Sequence, residues 1–161
     1  MRREPKRPFS TSPERSRIMR AVGRRDTRPE RMLQSSLRRL RLRFSKNSRH
    51  LPGSPDIVFR ESRVAVFVHG CFWHRHKRCP LATTPRSNIG YWRPKFAANL
   101  ERDRRTLSEL KRLGWKVVVV WQCEIEADAG KAAQRVEAFL LRAQKACQGL
   151  SQLSSGPSRS S

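Results

Sequence analysis

The segment Asp56-Ile-Val-Phe-Arg-Glu-Ser-Arg-Val-Ala-Val-Phe-Val-His69 decides the fold. Asp56-Ile-Val-Phe59 reads as a short strand, and Arg60-Glu-Ser-Arg63 as the turn that ends it. Val64-Ala-Val-Phe-Val68 is apolar and too short for a helix, so the two runs form a hairpin that brings Asp56 and His69 to one end of a sheet. Upstream, Leu51-Pro-Gly-Ser-Pro55 breaks the chain. Before it, Thr27-Arg-Pro-Glu30 has capping-box spacing with Pro in the first turn, and Leu33, Leu37, Leu40 and Phe44 follow on one helical face.

Downstream, Phe96, Leu100, Leu107 and Leu110 define one face of a helix from about Pro94 to Leu113, ended by Gly114. Asp103 interrupts that face, where a carboxylate needs a cation, a metal or a histidine beside it. Lys116-Val-Val-Val-Val-Trp121 is apolar on both faces and predicts a central strand covered on both sides. A last helix spans roughly Lys131 to Cys147, with Val136, Leu140, Ala143 and Cys147 turned to the core, which makes Cys147 a buried structural thiol. The pattern is α/β. One compact domain over residues 16–147 is expected, with a disordered basic arm at 1–15 and a disordered Ser-rich tail at 148–161.

The chain has 161 residues, with 36 Lys and Arg against 13 Asp and Glu and a net charge of +23. A chain this basic binds phosphate polyanions, so nucleic acid is the expected partner. No apolar run approaches the roughly 18 residues of a membrane span, and the amino terminus lacks the apolar core of a secretory signal. No membrane partner and a cytoplasmic setting are expected. In a reducing compartment four cysteines point to metal ligation rather than disulfides.

The chemistry concentrates in His69-Gly-Cys-Phe-Trp-His-Arg-His-Lys-Arg-Cys79, three imidazoles and two thiols in eleven positions. Cys71, His76 and Cys79 give a C-x4-H-x2-C pattern, and Cys123 follows the last strand. Three ligands from one loop and a fourth from a distant strand end make the closed tetrahedral set of a structural zinc, with no open position for substrate. His69 and His74 remain beside Asp56 and Asp103. Such a set suits phosphodiester hydrolysis, in which a carboxylate holds Mg²⁺ on the phosphate and an imidazole moves a proton.

The residues resemble the very-short-patch-repair mismatch endonucleases of bacteria, which have the restriction-endonuclease-like fold. The likeness runs from about Ser16 to Glu124. It includes Arg17-Ile-Met-Arg20, Asp26-Thr-Arg-Pro-Glu30, Leu51-Pro-Gly-Ser-Pro-Asp56, Val68-His-Gly-Cys-Phe-Trp-His74, Tyr91-Trp92, Asn99-Leu-Glu-Arg-Asp-Arg-Arg105 and Val120-Trp-Gln-Cys-Glu124. The combination is far more specific than any one piece.

The resemblance implies a mixed central sheet flanked by helices, one structural zinc, and a Mg²⁺-dependent nick 5′ of the T in a T·G mismatch left by deamination of 5-methylcytosine. It implies that Asp56 and the main-chain carbonyl of Val68 bind Mg²⁺, that His69 and His74 flank the scissile phosphate, that Asp103 orients His74, and that Glu30 reaches the same site. Phe72, Trp73 and Trp92 would insert into the base stack, where a mispaired step is cheaper to open. Lys95 and Asn99 would contact the mismatched bases, and Met19 would also touch DNA. The implied partner is double-stranded DNA bound by a monomer, with mismatch-repair proteins as further partners and a cytosine methyltransferase linked by function. Two rival readings are a zinc-stabilised DNA-binding module that does not cut, and a restriction-like nuclease acting on matched DNA.

Overall fold

A computed structural model describes residues 26–153, except for the side chains of 146–153. The basic arm, Met19 and the end of the Ser-rich tail lie outside the described residues, as does the side chain of Cys147. The elements run α1 (Arg28–Arg39), β1 (Ser45–Lys46), β2 (Ile57–Phe59), β3 (Val64–His69), α2 (Ile89–Arg112), β4 (Lys116–Trp121), α3 (Gln122–Ala127) and α4 (Ala129–Leu153).

The strands form one mixed sheet in the order β1-β2-β3-β4. The hairpin is present, with β2 antiparallel to β3 and Val58 opposite Ala65. β4 lies parallel to β3 in a register that sets His69 beside Trp121. Parallel neighbours need a long crossover, and the segment carrying the zinc-spaced loop and α2 supplies it.

Helices cover both faces of the sheet. On one face Leu33 and Leu37 of α1, Ile125 of α3 and Val136, Leu140 and Ala143 of α4 pack on Ile57, Val66, Val118 and Val120. On the other, Leu110 of α2 packs with Ala65 and Phe67, flanked by Leu51, Leu107, Trp115, Val117 and Val119. Phe44, one turn past the end of α1, meets Phe59 edge to face with 6.0 Å between centroids.

Three expectations change. β4 is covered on both faces as its composition requires, but among the described residues it is an edge strand, and β2 and β3 hold the interior places. An all-apolar run reports what lies above and below a strand, not what pairs with it laterally. Leu100 is exposed, and the inward stripe of α2 runs instead through Trp92, Phe96, Asn99, Asp103 and Leu110. That stripe mixes polar and apolar residues because this helix faces a site as well as a core. Helix boundaries also move. α2 starts at Ile89 and carries Pro94 on an exposed turn, and α4 continues to Leu153, into the stretch expected to be disordered.

At α1 the start is as read, but its wiring differs from a capping box. The Thr27 hydroxyl donates to Glu30 Oε1 (2.7 Å) rather than accepting from the helix backbone, and the Asp26 N–H donates to Glu30 Oε2 (2.8 Å). Glu30 is thereby buried with both carboxylate oxygens occupied.

Candidate active site

The sheet end formed by the start of β2 and the end of β3 gathers the expected residues. Asp56 precedes β2, and its Oδ2 accepts the Val68 N–H at 2.7 Å, so the carboxylate is pinned to the last residues of β3. Burial pushes the Asp56 carboxyl up to about 7, with the Glu30 and Asp26 charges adding to the rise against the Val68 hydrogen bond. A half-buried carboxylate under negative charge from its neighbours has the chemistry of an oxygen ligand for a hard cation.

His69 ends β3 and is buried. His74 stacks on it with 3.8 Å between centroids and 14° between planes. The loop that presents His74 is wound by backbone bonds, His74 N–H to the Gly70 carbonyl and His76 N–H to the Cys71 carbonyl. From α2, Asp103 Oδ2 meets His74 Nδ1 at 2.5 Å, and both side chains are largely buried, 16% and 18% exposed. This accounts for the carboxylate on the inward face of α2. Burial works to raise the Asp103 carboxyl, but the hydrogen bond and charge of His74, with His69 and Arg102, hold it below the usual carboxylate range. Burial drives His69 down to about 4, with His74 adding to the fall, so its imidazole is neutral at neutral pH.

One loop further, Cys71 Sγ, His76 Nδ1, Cys79 Sγ and Cys123 Sγ converge, all within 4.8 Å of one another. Tetrahedral zinc, with Zn–S of about 2.3 Å and Zn–N of about 2.0 Å, sets neighbouring S and N donors about 3.5 Å apart. His76 Nδ1 stands 3.6 Å from Cys71 Sγ and 3.3 Å from Cys123 Sγ. Burial pushes the Cys71 thiol up to about 12, so a cation is what would make this sulfur a thiolate. The donor chemistry and spacing fit structural zinc. The neighbouring histidines divide, His76 lying with the thiols and His74 with Asp103.

The aromatic residues form a separate cluster. Phe72 stands edge-on to Trp73, Trp92 and Phe96, at 5.1, 5.4 and 5.2 Å between centroids. Phe72, Trp73 and Trp92 are half-buried and belong to neither apolar core. Asn99 Nδ2 donates to the Trp73 carbonyl at 3.4 Å, while exposed Lys95 donates to the Tyr91 hydroxyl at 3.2 Å.

Comparison with known proteins gives this geometry a lineage. The family model described as DNA mismatch endonuclease Vsr matches residues 9–80. Type II nicking enzyme V.XorIIP of Xanthomonas oryzae pv. oryzae is 45% identical over 130 residues, covering 80% of this chain and 94% of that protein. DNA mismatch endonuclease Vsr of Escherichia coli is 45% identical over 111 residues, 69% of this chain and 70% of the relative. The chain belongs to the Vsr family of DNA mismatch endonucleases. Type II nicking enzyme V.NmeAIP of Neisseria meningitidis, 39% identical over 121 residues with 75% and 85% coverage, is a further relative of this Vsr chain. Among the described residues no helix is long and apolar enough to cross a membrane.

Sequence reasoning missed three side chains. Phe96, read as a core residue, belongs to the aromatic cluster. Arg75 lies over its ring at 4.3 Å and also donates to the Thr83 carbonyl and the Thr84 hydroxyl, fastening the 80s loop to α2. Trp121 touches both histidine groups. Its sequence signals are its place at the end of an apolar strand and within Val120-Trp-Gln-Cys-Glu124, and neither says what the ring packs on.

Proposed function

We propose that this protein nicks double-stranded DNA on the 5′ side of the T in a T·G mismatch produced by deamination of 5-methylcytosine. The observation that carries the reading is the set Asp56, His69, His74 and Asp103 at one sheet end, with an aromatic cluster on the adjoining loop and helix, in a member of the Vsr family.

Asp56 and the Val68 carbonyl would hold Mg²⁺, with Glu30 adding negative charge behind Asp56. Bound Mg²⁺ supplies neutralisation of the charge that develops on the phosphate. Asp103 fixes a proton on His74 Nδ1, which leaves Nε2 to exchange a proton with the attacking water or the leaving oxygen. His69, neutral and stacked on His74, restricts that ring to one plane. The set His69, His74 and Asp103 is also compact enough to hold a metal. The face-to-face packing of the two imidazoles favours the proton-transfer reading, because ring nitrogens in parallel planes do not converge on one ion.

Phe72, Trp73 and Trp92 would enter the stack at the mismatch, where T·G opens at lower cost than T·A, and Lys95 and Asn99 would meet the exposed base edges. Met19 would add a contact from the amino-terminal side. The Arg-rich surface would supply sequence-independent affinity. The protein would act as a cytoplasmic monomer on sites of a cytosine methyltransferase, beside mismatch-repair proteins.

The test is a nicking assay on two duplexes that differ only in T·G against T·A. The expected result is one nick, 5′ of the mismatched T, in the presence of Mg²⁺ and none with chelator. Equal cutting of both duplexes would point to a nuclease of matched DNA. Mismatch binding without cutting would leave the non-cleaving module.

A further inference from the structure

Trp121 closes the sheet end between the zinc ligands and the histidine pair. In the parallel register it sits beside His69 on the face turned to α2. Its indole lies flat on the zinc-side His76, with 4.1 Å between centroids and 7° between planes. The same indole meets His69 edge to face at 5.5 Å and 78°. His69 in turn stacks on His74, which Asp103 holds. The result is an unbroken column of rings, His76, Trp121, His69 and His74, from the thiol cluster to the proton-transfer pair.

Trp121 is half-buried and belongs to neither apolar core. Its position is fixed from behind, because the Trp121 N–H donates to Glu124 Oε2 at 3.1 Å, and the same oxygen accepts from Arg135 at 2.8 Å. Cys123, two residues on, lies in the first turn of α3. Ordering the thiol cluster therefore orders both ends of the indole's support, the ring of His76 in front and the β4–α3 junction behind.

We infer that Trp121 is a positioning residue that transmits the order of the zinc centre to the reactive imidazoles, setting the plane of His69 and through it that of His74. An imidazole that is free to rotate spends less time aimed at the reacting oxygen, and groups one contact away from a metal ligand typically change metal affinity or rate by about 10- to 100-fold when removed. The consequence for catalysis rests on the function proposed above; the mechanical link between the two histidine groups does not.

The experiment compares Trp121→Phe and Trp121→Leu with the parent zinc-loaded protein in three readouts. Zinc release to a colorimetric chelator reports the His76 end. Histidine ring signals by NMR report His69 and His74. Steady-state nicking of a T·G duplex separates kcat from KM. Trp121→Leu should release zinc about 10-fold faster, shift the signals of both His69 and His76, and lower kcat about 10-fold with KM unchanged. Trp121→Phe, which keeps an aromatic face, should restore most of each. If Trp121→Leu leaves zinc release and the His69 signals as in the parent, or raises KM while kcat holds, the inference is overturned. If the parent does not nick T·G DNA while the zinc and NMR readouts move together, the functional reading fails and the link stands.

Discussion

At the residue scale the decisive feature is a pair of opposed ionisations. Asp56 is lifted from 3.8 to about 7 by burial, so between those values the folded protein holds more protons than the unfolded chain and stability falls as pH rises. His69 is lowered from 6.5 to about 4, so its contribution is complete above 6.5 and is lost as pH falls toward 4. The two slopes largely cancel in the metal-free parent. Asp56→Asn removes the first while keeping an acceptor for the Val68 N–H. In chelator at pH 8 it should therefore be more stable than the parent, by on the order of 1 to 4 kcal/mol, with the gain gone near pH 4. Adding Mg²⁺ should narrow the gap at pH 8 by stabilising the parent alone. Thermal melts of both proteins at the two pH values check this, and equal stability at pH 8 would mean Asp56 carries no unmet charge. Asp56, His69 and Asp103 were legible as chemistry because carboxylates and imidazoles stand out from apolar surroundings. Trp121 was not, because nothing in a strand-end tryptophan distinguishes a ring that packs on histidines from one that packs on aliphatic residues.

At the element scale the hairpin and the inward carboxylate of α2 were readable from periodicity, which reports faces. Lateral neighbours were not, and β4 fell at the sheet edge for that reason. The helix boundaries moved because ends depend on what packs against them. The loop Leu51–Pro55 shows how a short motif becomes a structural joint. Gly53 takes φ +71°, and a Cβ there would stand 2.3 Å from Thr106 Cγ2 and 3.3 Å from the Phe67 ring. The motif thus seats the entry to β2 against α2, the helix that carries Asp103. Gly53→Ala should lower stability by about 2 kcal/mol or more, part from the left-handed backbone and part from the clash. Adding Thr106→Ser, which removes the offending methyl, should recover the clash portion and not the backbone portion. Denaturant midpoints of the two variants measure the split, and a neutral Gly53→Ala would contradict this account of the joint.

At the scale of the whole molecule, one mixed sheet holds three groups whose residues interleave along the β3–β4 crossover, the thiol cluster, the histidine pair with Asp103, and the aromatic cluster, with Cys123 joining the first of them from α3. The sheet supplies rigidity and the crossover supplies chemistry. On the proposed function the aromatic cluster with Lys95 would serve recognition and the sheet end hydrolysis, while the surface of a chain with net charge +23 would hold DNA through its phosphates in either case. Affinity and rate should therefore respond to different substitutions. The most direct test is single-turnover nicking of a T·G duplex by Asp56→Asn and Asp103→Asn, with duplex affinity measured on the same preparations. Both variants should bind T·G DNA nearly as the parent does and nick it slower by about 10²-fold or more. Parental nicking rates in either variant would contradict the assignment of hydrolysis to this sheet end.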